Sequence, residues 1–189
     1  MTTQSVPQTV SGAKSDYIVA KFGGTSVANF EAMSRCSEII VADKSVRIVA
    51  VSASAGVTNH LVALCKPDLS KEQRQEHIDG VLAIQQAILD ELSLDADLAV
   101  GFNETLKAFQ TLALETLTTD QQHDELLSFG ERLSSYLFAQ VLRLKGLNAD
   151  RFDVRKVLKT DSQFGKATPD VAATAQAAKD LLIPLLDEQ

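Results

Sequence analysis

Two glycines close the first apolar run of this chain, and they limit what can follow. Tyr17-Ile18-Val19-Ala20 has the composition of a buried strand, and Lys21-Phe22-Gly23-Gly24-Thr25-Ser26 ends it just before a helical pattern opens. A strand that stops at glycines and restarts as a helix leaves bare backbone N–H groups at the turn, a geometry suited to phosphate. Lys21 adds a point charge at the same place. The hexapeptide matches neither G-x-x-x-x-G-K-[ST] nor G-x-G-x-x-G, so taken alone it only nominates an anion site. The spacing then predicts a strand from Tyr17 to Phe22, a helix from about Val27 to Asp43, a strand from Val46 to Ser52 and a helix starting near Thr58. That is a β-α-β unit. Because both strands are nearly continuous apolar runs, the expected fold class is α/β with a parallel sheet covered on both faces.

At 189 residues the chain has room for one domain with a substantial core. A formal charge of -7 and a pI of about 4.9 argue against nucleic acid or an anionic membrane as partner, since both want clustered Lys and Arg. No stretch approaches the roughly 18 apolar residues of a membrane span, and the N-terminus lacks a signal-peptide pattern, so a cytoplasmic location is expected. Cys36 and Cys65 belong to no C-x-x-C and are expected to be reduced, packed thiols. Residues 1–15, rich in Thr, Gln, Ser and Val, are expected to be a disordered leader, which puts the domain at 16–189.

The middle third is helical by its apolar spacing: Lys71 to Leu92, Phe102 to Leu117, and a third helix from an Asp120 cap to a Gly146 stop. A strand is expected from Asp150 to Val154, then a polar loop through Gly165. A last helix is expected from Pro169, capped by Thr168 and bent or ended by Pro184.

Two further segments carry chemistry. Ser52-Ala53-Ser54-Ala55-Gly56-Val57-Thr58-Asn59 closes the second strand with small residues and hydroxyls, and Thr58 falls where a helix start would present free N–H groups to a carboxylate. Adjacent parallel strands share one rim at their carboxyl ends, so this loop and the Lys21 loop should face a common crevice. Ser128-Phe129-Gly130-Glu131-Arg132 places a glycine inside a long helix at a cost of about 1 kcal/mol, which implies close packing against that turn. Glu131 beside it could bind an ammonium. Each word also has an ordinary explanation: a solvated lysine, a tight turn, a βα loop, a surface glutamate. Asp153 and Arg155 read as a local ion pair. His60, His77 and His123 have no mutual spacing that suits a metal or a catalytic base, and no role is expected of them.

Taken in order, these residues resemble the amino-acid kinases, and within them the aspartokinases (aspartate kinases), most of all the monofunctional lysine-sensitive kind. The matching words are Lys-Phe-Gly-Gly-Thr-Ser at 21–26, Ser-Ala-Ser-Ala-Gly-Val-Thr-Asn at 52–59, Ser-Phe-Gly-Glu at 128–131, Phe-Asp-Val-Arg-Lys-Val at 152–157 and Phe-Gly-Lys-Ala at 164–167. The resemblance implies a three-layer, parallel-sheet sandwich of the carbamate-kinase type, here truncated and with a helical middle subregion. It implies phosphoryl transfer from ATP, with Mg²⁺, to the side-chain carboxylate of L-aspartate, the first step toward lysine, threonine and methionine. By position, Lys21 would reach the transferred phosphoryl group, with Gly23, Gly24 and Thr25 as donors around it. Ser52 and Thr58 would line the aspartate pocket, Glu131 would recognise the α-amino group, and Phe164 and Gly165 would border the same pocket. No metal ligand is assigned.

Full-length aspartokinases continue into a Gly-Arg-Gly-Gly-Ser-Asp run, an adenine pocket and regulatory ACT domains. That run is missing from these 189 residues, so the chain alone is expected to be weakly active or inactive. The unpaired edge of a shortened sheet makes a homo-oligomer a further expectation. The competing readings are a kinase of the same fold acting on glutamate, acetylglutamate, carbamate or a nucleoside monophosphate, and a non-catalytic module for ligand binding or oligomerisation.

Overall fold

β1 (Ile18–Phe22) and β2 (Val46–Val51) pair in parallel, with Val19 opposite Ile48 and Phe22 opposite Val51. The computed structural model describes residues 17–187, so the expected leader at 1–15 lies outside the described residues. Between the strands, Gly24–Val27 forms a 3-10 turn and α1 (Phe30–Ala42) follows. α1 starts later than the apolar spacing predicts because Asn29 caps it, its side chain accepting from the Ala32 N–H at 2.8 Å. Beyond β2 come α2 (Val57–Leu64), α3 (Lys71–Leu89), α4 (Ala96–Ala113), α5 (Asp120–Leu144), a 3-10 turn at Val154–Lys156, α6 (Val171–Leu181) and α7 (Ile183–Asp187).

The β-α-β unit is as expected, but the sheet is not covered on both faces. α5 lies against it, Phe22 meeting Phe138 with ring centroids 5.7 Å apart. Away from that contact the sheet is open: Ile18 and Val19 are 46% and 59% exposed. Only two strands are present among the described residues, so the layers that would close the other side are not supplied by them.

The core lies among the helices, where Leu61, Ile88, Phe102, Phe109, Phe129 and Leu133 are buried together. α5 is its axis. Thr119, not Asp120, caps this helix through a reciprocal box with Gln122. At its other end Gly146, at φ +82°, lets Leu147 N–H reach Leu142 C=O at 3.1 Å and Gly146 N–H reach Arg143 C=O at 2.9 Å, a Schellman stop. α4 begins six residues before the expected Phe102, because Asp95 is fixed at its start: Asp95 N–H donates to Gln140 Oε1 at 2.8 Å, and Arg143 bonds Asp95 and Asp97. It ends at Ala113, so Leu117 is buried from a loop.

The expected strand at Asp150 to Val154 does not form. Arg151 lies over the Tyr136 ring at 4.5 Å, and Asp153 accepts from the Arg155 N–H at 3.1 Å, so side-chain bonds turn the backbone here instead of a ladder extending it. The last helix starts at Val171, capped by Asp170 through the Ala173 N–H, while Pro169 pairs with Thr160 in an isolated bridge. It breaks at Leu182, and Pro184 falls in the first turn of α7, as proline does. Arg47 Nη2 ties α7 back to β2 by donating to Leu186 C=O at 2.8 Å. Both cysteines are free: Cys36 is buried with its thiol donating to Ser26 C=O, and burial pushes the Cys65 thiol up from its ordinary value.

Two contacts hold the frame on which the loops sit. Arg74, 5% exposed, donates from one guanidinium nitrogen to Leu64 C=O at 3.2 Å and Ala113 C=O at 3.1 Å, the last residues of α2 and α4. A cation at two helix C-termini satisfies orphan carbonyls and complements both dipoles. Gly130 on α5 faces the loop after β2, where a Cβ would stand 2.6 Å from Ala53 Cβ and 3.2 Å from Leu61 Cδ1. Arg74→Met, which keeps the stem, is expected to cost about 2–3 kcal/mol, measured as a fall in the denaturation midpoint at unchanged slope. Gly130→Ala should destabilise by about 1–2 kcal/mol despite alanine's better helix propensity, because the helix must move off Ala53; a stabilised variant would show the contact to be looser than described.

Candidate functional site

The carboxyl ends of β1 and β2 run into two loops that lie backbone against backbone. Ser52 N–H continues the ladder to Phe22 C=O at 3.0 Å. One residue on, a Cβ at Gly24 would stand 2.9 Å from Ala53 C=O and 3.8 Å from Ala55 N, so only glycine allows the two loops this approach. Lys21 is exposed, its Nζ 3.7 Å from where a Gly23 Cβ would be. The ammonium therefore hangs over the turn rather than away from it. Thr25 is exposed in the 3-10 turn that Gly23 starts without any side-chain cap.

On the other side, Gly56 at φ +90° starts α2, again with no side-chain cap. Val57 is fully buried and anchors the helix; Thr58, the next residue, is exposed at its first turn. An uncapped helix start with an outward hydroxyl is equipped to hold a carboxylate.

α5 closes the rim. Glu131 is exposed, and its Oε1 accepts from Ala53 N–H at 3.3 Å. One turn further, the buried Ser134 hydroxyl donates to Ser52 C=O at 2.7 Å. The close packing expected around Gly130 is what puts Glu131 there. Gly24 and Glu131 thus meet at Ala53, next to Ser52, with Lys21 and Thr25 on the turn that carries Gly23 and Gly24, and Thr58 on the helix that the Ala53 loop leads into.

Phe164 and Gly165 stand apart from that cluster. Their loop turns at Gly165, φ +78°, whose N–H donates to Asp124 Oδ2 at 2.7 Å, and Phe164 is 40% exposed. Asp124 precedes Glu131 by two helical turns, so the loop meets the same stripe of α5 about 10 Å away along its axis. No hydrogen bond links either residue to Lys21, Ser52 or Thr58.

Sequence reasoning missed Ser134, whose only signal is its place three residues after Glu131. The expected Asp153–Arg155 pair is present at 2.7 Å, and the Arg155 guanidinium holds the Asp153 carboxyl far below the usual carboxylate range. It belongs to a wider network, since Arg155 and Arg132 both bond Glu125, and Arg151 bonds Asp153. This clamps residues 151–156 to α5. Sequence spacing does not bring His60 and His77 together, but the structure does: seventeen apart in sequence, they meet with Nδ1 to Nδ1 at 3.2 Å. A separate cleft of about 480 Å³, lined by Gly101, Tyr136, Arg143, Arg151 and Phe152, lies away from the two loops. Its Arg143 is already committed to Asp95, Asp97 and Asp150.

The amino acid kinase family model matches residues 16–188. The chain is 43% identical over 176 residues to lysine-sensitive aspartokinase 3 of Escherichia coli (strain K12), a match covering 92% of this chain and 39% of that protein. It is 36% identical over 166 residues to the aspartokinase of Chlamydia trachomatis serovar D, covering 88% of this chain and 37% of that one. Among solved structures, E. coli aspartokinase III in complex with aspartate and ADP superposes with a TM-score of 0.85, over 91% of this chain and 39% of that chain. The aspartate kinase of Clostridium acetobutylicum, at 19% identity, shares the fold with a TM-score of 0.67 over 89% of this chain and 37% of that one. The chain therefore spans about two-fifths of the length of these relatives. With its short parallel sheet, its helices and its paired loops, it belongs to the amino acid kinase family.

Proposed function

We propose that this chain is the aspartate-side part of an aspartate kinase catalytic domain, serving phosphoryl transfer from ATP to the side-chain carboxylate of L-aspartate to give 4-phospho-L-aspartate. The observation that carries the reading is the convergence at Ala53: Gly24 presses on its carbonyl and Glu131 accepts from its N–H, so the phosphate-type loop and the acid share one residue. The E. coli structure that superposes on this chain is a complex with aspartate and ADP, which supports the same ligands here.

In this reading the reacting oxygen needs no base, because a side-chain carboxylate is ionised near neutral pH. The task of the site is to align that oxygen with the phosphorus and to neutralise charge. Lys21 meets the transferred phosphoryl group, with Gly23, Gly24 and Thr25 supplying backbone and hydroxyl donors. Thr58, at the open start of α2, and Ser52 hold the aspartate. Glu131 pairs with its ammonium and so favours an amino acid over acids that lack one. Phe164 and Gly165 would border the pocket from the Asp124 side. Mg²⁺ would supply charge neutralisation at the nucleotide phosphates; among the described residues no group of three or more His, Cys, Asp or Glu is placed to hold a metal. The product would feed lysine, threonine and methionine synthesis in the cytoplasm, and no described helix is long and apolar enough to cross a membrane.

Calorimetry on the 189-residue chain tests the assignment. Aspartate should bind, and Glu131→Gln should weaken it about 10- to 100-fold, the worth of one hydrogen-bonded charge. Unchanged aspartate affinity in the variant would remove the ammonium role and reopen the other acid kinases; binding of neither aspartate nor ATP would favour a non-catalytic module. In a coupled ADP-release assay the 189 residues alone should turn over weakly or not at all. Turnover equal to that of a full-length aspartokinase would contradict this.

A further inference from the structure

The geometry points to a second site, separate from phosphoryl transfer: His60 on α2 and His77 on α3 form a two-imidazole site for a borderline divalent cation such as Zn²⁺ or Ni²⁺. The two Nδ1 atoms lie 3.2 Å apart. Metal–imidazole bonds of about 2.0–2.1 Å meeting at a tetrahedral angle place their nitrogens roughly 3.3 Å apart, so the observed spacing is already the bite of such an ion. The ring centroids are 5.4 Å apart and the planes are inclined at 59°, so the rings confront each other through their nitrogens rather than stacking. Binding requires each ring to turn until the two Nδ1 lone pairs meet at the ion.

The seat of this pair is built. Gly80, one turn after His77 on α3, lies under the His60 ring: a Cβ there would be 2.3 Å from Cε1, 2.6 Å from Nε2 and 2.8 Å from Nδ1. Any larger residue would expel the imidazole. A helix-interior glycine costs about 1 kcal/mol relative to alanine, and here its absent side chain holds His60 over α3 with Nδ1 turned to His77. Without an ion the pair is an N–H···N hydrogen bond that requires the two rings to carry opposite tautomers. An ion takes the place of the shared proton, which moves to Nε2 of the ring that donated it, so that both rings carry Nε2–H, the tautomer in which Nδ1 is a ligand. Among the described residues no third His, Cys, Asp or Glu completes the set, so water fills the remaining positions. Hard oxygen-seeking ions such as Mg²⁺ are not suited to it. Thr58 stands two residues before His60, so an occupied site would fasten the helix that walls the candidate substrate pocket to α3.

Zinc chloride and nickel chloride titrated into the full 189-residue chain, followed by calorimetry and by ring-nitrogen NMR, test this. One ion should bind per chain, the Nδ1 resonances of His60 and His77 should move together, and His60→Gln and His77→Gln should each weaken binding by about tenfold or more. His123→Gln should leave it unchanged. Absence of stoichiometric binding, ring nitrogens of His60 and His77 that do not respond, or equal affinity in the folded Gln variants would each overturn the site and leave a plain hydrogen bond. Should a Gln variant fail to fold, the NMR response of the unaltered chain decides.

Discussion

The near-contact of Gly130 with Ala53 sets the distance on which the rest of this molecule depends. It lets the longest helix lie directly on the loop that follows β2, and the Ser134 hydroxyl then locks that approach by holding the Ser52 carbonyl. A helix seated so closely presents its next residue, Glu131, straight to the backbone of the loop. Gly24 presses on the carbonyl of the same residue. Three segments distant in sequence thus share a single small residue, and the site inherits its geometry from packing rather than from long side chains that must find one another.

Around that contact, charge does structural work at some distance from the substrate groups. Arg74 closes two helix ends inside the core, where loss of its donors would leave bare carbonyls out of water. Arg155, paired with Asp153 in its own segment and with Glu125 of α5, and Arg151, which donates to Ser135 of α5, bind residues 151–156 to that helix. These pairs are partly exposed, so their worth lies in fixing where the chain turns more than in free energy. Gln85 is the counterexample: it is 1% exposed, and neither amide atom has a protein partner, a cost consistent with an enclosed water.

Much of this was legible in the sequence. The β-α-β unit and the parallel pairing follow from local rules, because glycines and apolar spacing act within a few residues of themselves, and a glycine in a helix interior signals the close packing at 130. What escaped depended on partners far away. The start of α4 rests on Gln140 and Arg143, forty-odd residues on, and the missing strand at 150–154 on Tyr136 and Ser135 of α5. The His60–His77 meeting needs two helices to be placed before it exists at all. Caps were misjudged by one or two residues for a simpler reason: Thr119 and Asp120, or Thr168 and Asp170, are equally good capping types, and only the fold chooses between them.

The tether from Arg47 to the Leu186 carbonyl has a thermodynamic side. No residue of α6 is buried, and of α7 Leu186 is; the pair is otherwise joined to the body by bonds such as Lys159 N–H to Thr174 Oγ1. A segment with so little apolar surface out of water contributes little to global cooperativity and opens at a fraction of the energy needed to disrupt α5. Residues 171–187 thus have the make-up of a low-stability unit, tied to the start of β2 by Arg47 and to the loop before them by the Lys159–Thr174 bond.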